Sequence, residues 1–116
     1  MIKFEINNKE TGKKEQYTKD GITLGEVEVF WEHMEQEKNE REKEEPSNKK
    51  IRKIQRDFVV YLFKDQGLTE EDLLKNMTQK EYIRVNEEIF REILGEDEED
   101  TEDEEVQEGK KEEQPQ

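Results

Sequence analysis

The chain has 116 residues, 28% of them apolar and 47% charged, with a formal net charge of −14 and no cysteine. This leaves room for one small domain with a thin core and excludes a disulfide framework, a thiolate zinc site and a cysteine nucleophile. The negative charge opposes a phosphate backbone or an anionic membrane surface within a Debye length of ~10 Å, so neither nucleic acid nor a membrane is expected as a partner.

No apolar run approaches the ~18 residues that cross a bilayer, and Met1 to Lys14 lacks a signal-peptide core, so a cytosolic protein is expected. The composition also divides along the chain. Of 32 apolar residues only Val106 lies beyond Gly95, and residues 96–116 carry 12 acidic against 2 basic side chains. Folding is therefore expected to stop near Gly95.

Ile2, Phe4 and Ile6 alternate with Lys3 and Glu5, the period of a half-buried strand. Asn7, Asn8 and Gly12 follow, then a second extended segment around Tyr17, which together predict a hairpin over 1–22. Such a hairpin is marginal alone and needs helices beneath its apolar face. Thr23 with Glu26 forms a capping box that opens a helix carrying Leu24, Val27, Phe30, Trp31 and Met34 on one face. Its continuation, Glu35 to Glu45, is charge-rich and predicts a solvated helical extension ending before Pro46.

Lys49 to Gly67 holds the longest apolar run, Phe58 to Phe63. Ile51, Ile54, Phe58, Tyr61 and Leu62 share a helical stripe roughly 100° wide, whereas Val59, Val60 and Phe63 fall outside it. Ser47 or Asn48 suits its N-cap and Gly67 its C-cap. Thr69 with Asp72 opens a short turn bearing Leu73 and Leu74. Thr78 with Glu81 opens the last helix, which Gly95 ends. There Tyr82, Ile83, Val85, Ile89, Phe90, Ile93 and Leu94 cover about half the circumference, again more than one seam uses.

The expected fold is mainly α: a small bundle of three to four helices over 23–95, an N-terminal β-hairpin over 1–22 and a disordered acidic C-terminal tail over 96–116. His33 and Glu37 are spaced i, i+4, but in so glutamate-rich a chain the pair marks no metal site without further ligands. Scattered carboxylates define no acid–base pair, and isolated glycines form no phosphate loop. No catalytic residue, metal or cofactor is expected. The basic run Lys49, Lys50, Arg52, Lys53 and Arg56 sits at a helix N-terminus, against the dipole, and predicts acidic compensation from the Glu35 to Glu45 run. A binding function is left, with Phe30, Trp31, Met34, Val59, Val60, Phe63, Ile83 and Phe90 as the candidate partner-binding residues.

The segments FWEHMEQEKNEREKEEPSNKK (30–50), RDFVVYLFKDQGLTEEDLL (56–74) and EYIRVNEEIFREILGEDEED (81–100) resemble the tail assembly chaperones of long-tailed siphophages, in the form found in phages and prophages of Gram-positive bacteria. The resemblance implies a non-enzymatic protein of the host bacterial cytoplasm, missing from the mature virion. It would keep the tape measure protein soluble and help the major tail (tube) protein polymerise around it. It also implies a longer product made by a −1 frameshift, which would recruit the tube protein; Glu108, Gly109 and Lys110 permit the codons GAG GGA AAA, which contain a slippery heptamer. On that reading this chain is the short form. Competing readings are a structural component of the particle whose apolar faces drive homo-oligomer assembly, and an acidic adaptor or nucleic-acid mimic.

Overall fold

A computed structural model describes residues 1–95, so the expectations for 96–116 lie outside the described residues. Two strands, β1 (Ile2–Asn7) and β2 (Lys14–Lys19), are followed by the helices α1 (Leu24–Arg41), α2 (Asn48–Leu62), α3 (Glu70–Asn76) and α4 (Gln79–Leu94), with a 3-10 turn, Lys64–Gln66, after α2. This is the expected helical bundle with an N-terminal hairpin.

The strands pair antiparallel with Phe4 opposite Tyr17. Alternation puts Ile2, Phe4 and Ile6 on the buried face beside Tyr17. Between the strands, the Asn8 side-chain oxygen accepts from the amides of Glu10 and Thr11, closing the loop locally. The buried face rests on the helices: the Phe63 ring meets Phe4 and Tyr17 edge-on at centroid distances of 5.0 and 6.2 Å. Arg84 of α4 donates to the Lys3 carbonyl at 2.9 Å, tying the last helix to β1. Hairpin and helices thus share one hydrophobic core.

Helix starts follow the capping rules. Thr23 with Glu26 and Thr69 with Asp72 form complete boxes, and Ser47 caps α2. Thr78 accepts from the Glu81 amide, but the Glu81 carboxylate turns to Arg84 at 2.7 Å instead of closing its box. A charge-assisted pair competes successfully there with a backbone amide.

Two expectations are corrected. The central helix stops at Leu62 rather than Gly67, because its last turn tightens to 3-10 and ends on Gly67 at φ 92°. Gln66 then holds β2, donating to the Thr18 carbonyl at 2.8 Å and accepting from the Thr18 amide at 3.2 Å. Phe63, at the junction of helix and 3-10 turn, lies under the hairpin. Val59 and Phe63 are 0% exposed and Val60 packs half-buried against the same cluster, so these three form no spare surface. The two surfaces that α2 must cover are met within one chain, by α1 through Phe30 on Phe58 and by the hairpin through Phe4 on Phe63.

The second correction concerns Glu35 to Glu45. Helix α1 continues through Arg41, and Glu37 and Glu40 are buried rather than solvated. Glu37 pairs with Arg41 at 3.1 Å and accepts from Gln55 of α2 at 3.3 Å. Glu40 pairs with Lys43 at 2.8 Å and accepts from the Ser47 amide at 2.9 Å, bracing the α1–α2 turn. Lys43 and the Ser47 N–H hold its carboxyl below the ordinary range.

Candidate functional site

Helix α1 leans on α2, and α4 leans on β1, which leaves an opening between α1 and α4 with α2 as its floor. The opening is a groove of about 470 Å³. Part of its lining is aromatic: the Phe30 ring lies 5.4 Å from that of Phe58 on the floor and 5.7 Å from that of Phe90 on the far wall, with Trp31 edge-on against Phe30 at 5.2 Å. Met34 on the α1 wall and Ile83 on the α4 wall also line it. Trp31, Ile83 and Phe90 remain 56%, 47% and 50% exposed, a large apolar surface for a chain so highly charged.

Elsewhere the lining is polar, with Glu37, Gln55, Gln79 and Tyr82. Burial pushes the Tyr82 phenol up, with Asn86 opposing. Gln55, Gln79 and Tyr82 also line a second hollow of about 300 Å³, which continues to Arg52, Leu74 and Met77.

The chemistry of this site is that of a docking surface. The His33 ring, 5.5 Å from Phe58, has its Nδ1 at 2.9 Å from the Val29 carbonyl of its own helix. No cluster of three or more metal-ligating side chains occurs among the described residues. The basic run of α2 is compensated from a direction other than the one expected. Lys53 pairs with Asp57 at 3.1 Å and Glu70 at 3.4 Å, and Arg56 pairs with Glu70 at 3.0 Å, so α3 supplies the main counter-charge. Arg56, with Lys53, holds the Glu70 carboxyl below its ordinary range. Glu40 feels Lys50 only through space.

An apolar docking groove in a highly charged chain fits many binding proteins, and the sequence comparison narrows the field. Residues 1–111 match the family described as phage tail chaperone protein. The chain belongs to that family. None of the curated proteins and none of the solved structures matches it. Membership points to proteins of the phage tail as partners and to a non-enzymatic role.

In this tail chaperone, five of the eight expected surface residues converge on the groove: Phe30, Met34, Ile83 and Phe90 line it, and Trp31 flanks Phe30. Val59, Val60 and Phe63 do not line it. Sequence reasoning missed Gln55, Gln79, Asn86 and Glu87 as lining residues. For α4 the signal was present, since Gln79, Ile83, Glu87 and Phe90 recur at i, i+4, i+8 and i+11, one face of a helix. No periodicity on α2 alone marks Gln55, because its role depends on how far α1 and α4 stand apart.

Proposed function

We propose that this tail chaperone binds the tape measure protein and keeps it soluble by seating amphipathic helices of that client in the α1–α4 groove. The observation that carries the reading is the groove itself: Trp31, Ile83 and Phe90, beside the half-buried Phe30, leave a large apolar surface exposed on the described chain. A client that is long, helical and rich in apolar stretches needs such a surface, and helix-in-groove docking uses apolar anchors at i, i+3, i+4 and i+7. Net charge keeps the loaded complex dispersed. The protein acts in the host cytoplasm during assembly and is left out of the virion, while a longer frameshifted product recruits the tube protein for polymerisation.

Co-expression with the tape measure protein tests this. With wild-type chaperone the client stays in the soluble fraction. With Trp31→Ser/Phe90→Ser, a variant that keeps its far-ultraviolet circular dichroism, the client is expected to pellet. Equal client solubility with the variant, or with no chaperone at all, sinks the proposal.

A further inference from the structure

The groove between α1 and α4 carries charge of one sign. Glu37 and Glu87 are its charged lining residues, and no lysine or arginine lines it. Glu37 is engaged by Arg41 and Gln55, whereas Glu87 on the α4 wall is exposed and holds no ion pair among the described residues. Helix α1 repeats the pattern. Residues 24–37 hold five acidic side chains and no lysine or arginine, although residues 1–95 as a whole carry 22 acidic against 18 basic. Of those five, Glu28, Glu32 and Glu35 are exposed and without an ion pair among the described residues.

Trp31 stands among these carboxylates. Glu28 precedes it by three residues and Glu35 follows it by four, the spacings that put helical side chains on one face, roughly 5–6 Å apart at Cβ. Phe30 meets the indole edge-on, yet Trp31 stays more than half exposed. No cation of the described chain lies over it; the cation–ring contact among the described residues is Lys64 over Tyr61. An electron-rich ring with a carboxylate one turn to either side attracts a cation through the ring quadrupole and the charges together.

We infer that Trp31, Glu28 and Glu35 form a seat for an arginine of the client helix, placed beside the apolar anchors that enter the groove. This rests on the groove-binding reading above and adds a chemical selectivity to it. A planar guanidinium stacks on an indole while it pairs with carboxylates, which an ammonium does less well. The same acids oppose the other occupants. A second copy docked through this face would bring the identical Glu28, Glu32, Glu35 and Glu87 to it, and residues 96–116 bring 12 acidic against 2 basic side chains.

Fluorescently labelled peptides of about 17 residues, long enough to be helical, test the seat. Each has a leucine face in an alanine and glutamine background and one side chain at the edge of that face: Arg, Lys, Gln or Glu. Binding to the full chain is read by anisotropy. At low salt the wild-type chain is expected to bind the Arg peptide about tenfold more tightly than the Gln peptide and about threefold more tightly than the Lys peptide, with the Glu peptide weakest. Added salt shrinks the preference over Gln. Glu28→Gln/Glu35→Gln is expected to cut the Arg-over-Gln ratio to about threefold, and Trp31→Leu to abolish the Arg-over-Lys ratio. Glu5→Gln/Glu15→Gln removes the same charge from the hairpin and should leave both ratios in place. All five positions are exposed, so each variant is expected to fold. An Arg peptide no tighter than the Gln or Lys peptide, or an equal loss of preference in the hairpin variant, overturns the seat and leaves the groove standing. No binding of any peptide removes the groove as a helix site, and the seat with it. A dimer that takes up peptide only on dilution makes a second copy the occupant and likewise overturns the inference.

Discussion

Phe63→Ala should remove a large part of this protein's stability, whereas Trp31→Ala should leave it nearly unchanged. Phe63 has no solvent exposure and meets two stacked rings edge-on, 5.0 Å from Phe4 and 6.2 Å from Tyr17. Truncating such a phenylalanine costs about 3–5 kcal/mol in lost transfer energy and residual cavity. A described domain of 95 residues is expected to hold roughly 5–14 kcal/mol in all. With a urea slope of ~1 kcal/mol/M for so small a domain, the midpoint falls by about 3 M or more. Trp31 is 56% exposed, and its replacement should move stability by less than about 1 kcal/mol. Urea titration followed by circular dichroism at 222 nm measures both. Should Phe63→Ala be too unstable to titrate, Phe63→Leu gives the same comparison with a smaller loss. A cost below about 1 kcal/mol for Phe63→Ala would refute the placement of Phe63 beneath the hairpin, and with it the assignment of the α2 surplus to the core.

Other expectations follow from single contacts. Replacing Thr23 by Ala removes the acceptor for the Glu26 amide and should cost about 1 kcal/mol by the same titration. Gly95→Ala forces a side chain into φ 79° at the end of α4 and should cost about 1 kcal/mol, without effect on client solubility. The carboxyls of Glu40, Glu70 and Glu81 are each held below their ordinary range by a neighbouring cation. Lowered folded values mean that their contribution is present above the unfolded value near pH 4.3 and fades as pH falls through the folded ones. The urea midpoint should therefore drop below about pH 4.5, and less steeply in Glu70→Gln. Mass spectrometry of purified phage particles should find no peptide of this chain if it acts only during assembly.

How much of this was legible beforehand varies from residue to residue. The strand alternation at Ile2, Phe4 and Ile6 and the caps at Thr23, Ser47 and Thr69 are local signals, and each element begins where they place it. Val59 and Phe63, one helical turn apart, read as surplus because no pattern within α2 shows that the hairpin covers its second face. Glu37 and Glu40 were misread for a different reason. A glutamate whose partners come from α2 or the turn before it has the same sequence surroundings as one facing water. The excess apolar circumference of α4 was legible, and it ends as exposed surface at Ile83, Phe90 and Leu94. The groove that Ile83 and Phe90 share with α1 depends on the spacing of two helices far apart in sequence, which no local pattern encodes.

Site-specific photo-cross-linking to the tape measure protein tests the central claim most directly. A photoreactive side chain at Ile83, on the groove wall, or at Trp31, on its edge, should cross-link the client. One at Glu15, exposed on the hairpin strand β2, should not. Cross-links from Glu15 as strong as those from Ile83, or none from either groove position in a complex that still forms, would contradict the account.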